Sequence, residues 1–373
     1  MDTYLDYNAT APLRPEVVST MSEAASQVGN ASSVHRFGRL ARRAVEDARE
    51  SVAALAGADP ANIVFTGGGT EANNLALRGS SRRALVSAVE HDSVRDVFAD
   101  RTDIPVGSDG VVDLAALVRL LSDYEAPVLV SIMLANNETG VIQPVAEAAA
   151  IAHEYGALVH CDAVQAAGRF PLDMATLGAD MLTLSAHKIG GPQGVGALVM
   201  ARDQPLDVQM RGGGQERSRR AGTENVAGIA GFGVAAELAR TAIDDMPRLA
   251  ALRDDIEARV AAVMPGVEIH GRNVARIANT SCIGLPGVRQ DTQVMALDLA
   301  GVAVSAGAAC SSGKLAPSHV LAAMGVDTHT AASAIRVSLG WRSTQGDADR
   351  FVVAWTDMAL RLADDATPQR TVA

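Results

Sequence analysis

Between about residues 62 and 200 the chain repeats one pattern: a short unbroken apolar run, a corner of polar or glycine residues, then a helix-prone stretch. The runs are residues 63–66, 84–89, 128–134, 158–161, 181–184 and 197–200. Strands with one wet face alternate apolar and polar residues, whereas strands covered on both faces do not, and these runs do not alternate. The segments between them, such as 145–155, are rich in alanine and read as helices. This leaves few folds open: an α/β layer structure with a mostly parallel central sheet flanked by helices. Ligands of such sheets gather beyond the carboxyl ends of the strands. The residues that follow each run are therefore the ones to inspect.

After 63–66 comes Gly67-Gly68-Gly69-Thr70-Glu71, at the head of a helical run. Glycines let a ligand approach the backbone, and a helix N-terminus offers unpaired N–H groups to an anion. A phosphate cradle and an ordinary tight turn are equally good readings of this motif alone. It matches neither the P-loop nor the dinucleotide fingerprint, which disfavours nucleoside triphosphates and dinucleotides. The next strand ends deliver Glu90-His91, then Asn136-Asn137-Glu138, then Asp162 with Gln165, then Ser185, His187 and Lys188. A lone aspartate at a strand end is usually a helix cap, and a lone histidine is usually structural. Five such ends together point to an active site. A lysine at a crowded strand end beside glycines suits a Schiff-base role. An aspartate at the preceding strand's exit suits holding a pyridine nitrogen protonated. With a phosphate cradle, these describe pyridoxal 5′-phosphate (PLP), with His91 placed to stack on the ring and carry protons.

Beyond residue 234 the pattern changes. Residues 235–264 read as one long helix closed by Pro265-Gly266, with apolar residues from Met246 to Val263 at spacings of three and four. Shorter strand-like runs follow at 277–283 and 302–306. A final amphipathic helix spans 351–362, preceded by a capping box at Thr344 and Asp347. The expected division is a large domain over 14–243 and a smaller α+β domain of 1–13 plus 244–373. Lys plus Arg number 32 against 43 Asp plus Glu, a net −11, which argues against nucleic acid as a direct partner. No apolar run approaches the ~20 residues of a membrane span, and the first residues lack a signal peptide's pattern, so the expectation is cytoplasmic with no membrane partner. Three scattered cysteines without a C-x-x-C give neither a disulfide framework nor a zinc site, and the histidines show no ligand spacing, so no metal is expected. Cys161 and Cys282 lie in apolar runs and read as inert. Cys310, among Gly307, Ser311, Ser312 and Gly313, reads as the reactive thiol.

These motifs in this order resemble the cysteine desulfurases of the class V aminotransferase group, within PLP fold type I. The resemblance runs nearly end to end. It is carried by residues 4–12, 29–35, 65–71, Glu90-His91, 136–140, 162–166, Ser185-Ala186-His187-Lys188, 212–216, 222–225, 305–310 and 335–340. It implies a homodimeric enzyme that converts L-cysteine to L-alanine. Lys188 would carry PLP and move protons, Asp162 would pair with the pyridinium nitrogen, Gln165 with the ring oxygen, and His91 would stack on the ring. Gly69, Thr70, Ser185 and His187 would hold the phosphate, with Thr223 reaching in from the partner subunit. Arg336 would take the substrate carboxylate, assisted by Asn137 and Asn8, and Cys310 would receive the sulfur as a persulfide. Cys310 precedes Arg336 by 26 residues (336 − 310), a long insertion similar to that of the group I members. These hand sulfur to iron–sulfur scaffold proteins or tRNA-thiolation enzymes. Selenocysteine lyase or another class V PLP enzyme is the alternative. Ile189, Ala221 and Ala308 depart from the commoner residues at their positions, and none of them removes a chemical group assigned above.

Overall fold

The structure, a computed structural model, describes residues 2–125, 127–307 and 318–366. Seven strands form the principal sheet: β2 (Ile63–Thr66), β3 (Arg83–Ser87), β4 (Thr102–Ile104), β5 (Val128–Ser131), β6 (Leu158–Asp162), β7 (Met181–Ser185) and β8 (Gly196–Met200). Their order is β2-β8-β7-β6-β5-β3-β4, parallel except for β8, which runs antiparallel to both β2 and β7. Each apolar run of the sequence is thus a strand. The exception is β4, too short and too polar to be read as one.

The unbroken runs have the expected cause: both faces of the sheet are covered. Phe65, Leu85, Val130, Val159 and Leu182 point into a core shared with α1 (Pro15–Ser26), α2 (Arg36–Ala56), α5 (Leu114–Ser122), α6 (Val145–Glu154) and α8 (Val226–Ala242). Their neighbours Val64, Val86, Leu129, Met181 and Leu198 point to the other face, against Ala72, Leu75, Ala76 and Leu77 of α3 (Gly69–Gly79). Two single-turn helices, α4 (Asp92–Arg95) and α7 (Met174–Leu177), complete this part.

A second core lies on a four-stranded antiparallel sheet of order β12-β13-β10-β9. Its strands are β9 (Glu268–His270), β10 (Thr280–Gly284), β12 (Ser305–Ala306) and β13 (Ala334–Ser338). It is packed by α9 (Met246–Val263), α10 (Gln290–Leu299) and α13 (Gln345–Ala366), through Leu249, Ile256, Val260, Leu297, Phe351 and Trp355. Two short helices, α11 (His319–Ala323) and α12 (Thr328–Ala331), precede β13. The N-terminus joins this core. β1 (Thr3–Tyr4) pairs in parallel with β11 (Val302–Ala303), and Leu5 is fully buried there. The capping box forms: Thr344 N donates to Asp347 Oδ2 (2.8 Å), and Asp347 N donates back to Thr344 Oγ1 (3.3 Å).

Three expectations need correction. The single helix over 235–264 is two helices, α8 and α9, joined by a 3₁₀ turn at Ile243–Asp245 with Pro247 in the first turn of α9. Proline is tolerated there because its missing N–H would have no intrahelical partner. The reason for the division is tertiary, since α8 belongs to the first core and α9 to the second. The run 302–306 is likewise split into β11 and β12, which serve different sheets. Finally, the helical stretch Val226–Val263 is long and apolar enough to cross a membrane by length and composition. Its apolar half, α8, is instead spent inside the protein: Ile229, Phe232, Ala235, Ala236 and Ala239 are buried in the first core.

Candidate active site

The carboxyl ends of β5, β6 and β7 open onto a cleft of about 300 Å³. Its walls include His91, Asn137, Asp162, Gln165 and Lys188. Through Gly69, Thr70, Ser185 and His187 it continues into a cradle formed by Gly67-Gly68-Gly69 and the first turn of α3. Nine of the residues singled out in the sequence therefore meet in one place.

The cradle is shaped by glycine. Gly68 sits at φ 147°, in the region that favours glycine, and no side chain caps α3 behind it. The first-turn amides of α3 are left to an anion, with the positive end of the helix dipole behind them. Gly196 of β8 passes underneath so closely that a Cβ there would lie 2.5 Å from the Gly68 carbonyl carbon. Burial first, then the Lys188 charge, hold His187 down to about 4, so it faces the cradle as a neutral ring. Its Nδ1 lies 3.2 Å from Thr10 Oγ1.

Asp162 ends β6 with its carboxylate already fixed. Oδ2 accepts from Asn73 Nδ2 (2.8 Å) and Oδ1 from Val164 N (2.9 Å). Asn73 also donates to Ser93 Oγ (2.8 Å), which lies 2.8 Å from His91 Nδ1. Ser93 N donates to the same Nδ1 (3.1 Å). That nitrogen is thus an acceptor, and a neutral His91 carries its proton on Nε2. A chain of hydrogen bonds runs from the histidine to the aspartate. Neither Asn73 nor Ser93 was singled out in the sequence. The available signal was helical spacing: Asn73 is four residues after Gly69, on the same face of α3. Beneath them Glu90 is fully buried, with its carboxyl accepting from Met133 N. Burial, and secondly the Asp162 charge, push its pKa well above the usual carboxylate range.

Lys188 closes the 3₁₀ turn Ala186–Lys188, and its Nζ donates to the carbonyls of Asn8 (2.5 Å) and Ala9 (2.8 Å). Asn8 is a hub, not a wall of the cleft. Its carbonyl also accepts from Gln165 Nε2 (3.0 Å), and its side chain bonds the Asn137 carbonyl (3.1 Å) and Thr280 Oγ1 (2.9 Å). Arg336 is set back in the middle of β13 and is almost wholly buried. It reaches the cleft through Asn137, whose carbonyl accepts from Nη1 (3.2 Å), while Nη2 is paired with Asp6 Oδ1 (2.7 Å). Its Nε is buried without a partner, so the fork keeps unused donors. The Asp6 pairing was invisible in the sequence, where 330 residues separate the two. Thr223 is exposed and lines neither cleft nor cradle of its own chain. Cys310 lies outside the described residues. Cys161 and Cys282 are buried and unpaired, and burial raises both thiol pKa values.

The loop that follows β8 is pinned to the cradle. Glu216 accepts from Arg49 Nη1 (2.8 Å) and Nη2 (3.1 Å) and from Phe65 N (2.9 Å), and both side chains are buried. Further along the same loop, Arg220 Nε donates to Glu71 Oε1 (2.8 Å).

Comparison with known proteins agrees with this geometry. The aminotransferase class-V family matches residues 3–351. An IscS-like cysteine desulfurase of Mycobacterium tuberculosis is 40% identical over 366 residues, 93% of each chain. Cysteine desulfurase IscS of Dictyoglomus turgidum is 42% identical, over 93% of this chain and 91% of that one. Among solved structures, a NifS-like protein from Rickettsia africae superposes with a TM-score of 0.90 at 36% identity, covering 96% of this chain and 99% of its own. SspA, solved in complex with cysteine, gives 0.76 at 29% identity, over 90% and 98% of the two chains. A likeness that runs the length of the chain, through strands that deliver these groups to one cleft, places the protein in the class V aminotransferase family, among the cysteine desulfurases of PLP fold type I.

Proposed function

We propose that the protein is a PLP-dependent cysteine desulfurase that moves the sulfur of L-cysteine onto Cys310 and releases L-alanine. The observation that carries this reading is the junction of cleft and cradle, where Lys188, Asp162, His91 and Gln165 meet an uncapped, glycine-lined helix N-terminus. This donor set fits PLP. Gly69, Thr70, Ser185 and His187 would hold its phosphate, Asp162 its ring nitrogen, Gln165 its ring oxygen and Lys188 its aldehyde carbon. When bound, PLP withdraws the electron pair left at the substrate's α-carbon. The chain's own groups do the rest. Asn73 and Val164 N hold the Asp162 carboxylate in its orientation. Lys188 and His91 are the groups placed to move protons at the substrate. Arg336 supplies a charged fork for the carboxylate, with Asn137 beside it. The Cys310 thiolate attacks the cysteine sulfur. The substrate's C–S bond breaks as the S–S bond forms, and the three-carbon product takes up a proton to become alanine, so no outside oxidant or reductant is needed.

The persulfide would pass to an acceptor protein for iron–sulfur cluster assembly or tRNA thiolation. The buried, unpaired Cys161 and Cys282 suit the reducing cytoplasm. Thr223, exposed here, would complete the cradle of a second copy in a homodimer. Purified enzyme given L-cysteine and a thiol reductant should release sulfide and alanine in equal amounts. Cys310→Ser should keep the yellow colour and release no sulfide. Full sulfide release by that variant would refute Cys310 as the acceptor.

A further inference from the structure

A second cavity, of about 190 Å³, touches Lys188 but shares no other lining residue with the cleft. Its walls come from both cores: Ala167 and Ala239 on one side, Leu249 and Leu339 on the other. Two guanidinium groups line it, and neither has a carboxylate partner among the described residues. The Arg14 side chain makes no hydrogen bond or ion pair among the described residues. Its Nε is buried without a partner, and its guanidinium lies 4.9 Å from the centre of the Trp341 ring. Gly190 gives it room, since a Cβ there would sit 2.9 Å from Arg14 Cγ. Among the described residues Arg169 bonds only neutral acceptors, the Gln165 carbonyl (3.1 Å) and side-chain oxygen and the Lys188 carbonyl (3.4 Å). Burial first, then the Arg336 charge, hold Arg169 down to about 9, as expected of a cation without a counter-ion. The one acid on the wall, Asp245, is taken by both arms of Arg248 (2.8 and 2.7 Å).

A guanidinium withdrawn from water without a counter-charge is costly, and a planar fork is matched by a carboxylate. Ile189, Met246, Leu249 and the Trp341 indole give the remaining wall its apolar part, beside Tyr7 and Asn279. We propose that this cavity is a binding site for a small organic carboxylate, its charge taken by Arg14 and Arg169 and its apolar body lying against Trp341. The proposal goes beyond the desulfurase reading and does not depend on it.

Benzoate is a suitable probe, with benzyl alcohol as the neutral control. Trp341 is one of two tryptophans, and the other, Trp355, is fully buried in the second core. Titration of the holoenzyme with benzoate should therefore give a saturable change in tryptophan fluorescence that benzyl alcohol does not. Binding should survive Arg336→Ala, which removes the carboxylate fork of the cleft. It should weaken at least about tenfold in Arg14→Ala and in Arg14→Met, the latter keeping the apolar stem. The far-ultraviolet circular dichroism and thermal unfolding midpoints of the Arg14 variants should match the wild type, which shows that they fold. Absence of saturable binding, retention of binding in both Arg14 variants, or its loss in Arg336→Ala would overturn the proposal. Equal competition by inorganic phosphate would overturn the assignment to a carboxylate. The binding readings and the folding control do not use turnover of cysteine, so failure here is distinct from failure of the desulfurase assay.

Discussion

The Arg49–Glu216 pair offers a test of what holds the phosphate cradle in place. Three consecutive non-glycine residues, Glu216, Arg217 and Ser218, stand at φ of 45°, 55° and 63°. A left-handed conformation costs an ordinary residue about 1–2 kcal/mol, so this loop carries roughly 3–6 kcal/mol of local strain. Its anchor is a buried carboxylate that accepts two guanidinium bonds and the Phe65 amide, near the end of the strand that leads into the cradle. Glu216→Gln keeps the shape but removes the charge and turns an amide NH₂ toward Arg49. Breaking one side of a buried pair costs about 3–5 kcal/mol, which corresponds to a fall of roughly 4–6 °C in Tm for a chain of 373 residues. Thermal unfolding at one fixed scan rate measures it. The apolar double variant Arg49→Met/Glu216→Leu removes both charges at once. It should be less destabilised than Glu216→Gln, despite leaving Phe65 N and the Ile63 carbonyl without partners at ~1–3 kcal/mol each. Glu216→Gln should also lose PLP more readily on dialysis, because the loop's Arg220 contact to Glu71 borders the cradle. If Glu216→Gln melted within about 1 kcal/mol of the wild type, the pair would not be the anchor and the reasoning would fail.

Four further outcomes are expected. Gly196→Ala drives a methyl into the Gly68 backbone and should yield protein that purifies without bound PLP, read from its visible spectrum. Arg336→Lys loses the fork and should raise KM for L-cysteine by about 10–100-fold with a smaller effect on kcat, since a charged hydrogen bond is worth ~1.5–3 kcal/mol; an unchanged KM would remove Arg336 from substrate binding. Burial lowers His160 from 6.5 to about 4, so its contribution is complete above pH 6.5 and is lost as pH falls toward 4. The shift corresponds to about 3 kcal/mol, and His160→Gln should flatten the fall in urea stability between pH 7 and pH 4.5 by that order. Native Cys310→Ser protein should resist alkylation at pH 8, because burial raises both remaining thiols, and should take up two equivalents of reagent once denatured.

The sequence was most informative where one backbone rule governs several residues. Strands covered on both faces are unbroken apolar runs, and strand ends in a parallel sheet point the same way. The positions of His91, Asp162, Ser185 and Lys188 at one edge therefore followed from local pattern alone. It was weakest where contacts join distant segments. Asp6 reaches Arg336, Glu216 reaches Arg49, and Asn8 gathers Lys188, Gln165 and Asn137, across separations that no window of sequence spans. The division of the long helix at 243–245 was hidden for the same reason, since periodicity continues through it and only the two cores distinguish its halves.

What the sequence determined by itself was the chemistry on offer: an α/β sheet, a glycine-rich turn before a helix, a lysine, an aspartate and a histidine at successive strand ends. What the tertiary structure decided was the state of those groups. Burial makes His187 neutral and raises the Glu90 pKa, Asn73 and Ser93 tie His91 to Asp162, and Asp6 occupies part of the Arg336 fork. Charge state and hydrogen-bond partner depend on desolvation and on distances of about 3 Å between segments far apart in the chain. Those quantities exist only once the chain has folded.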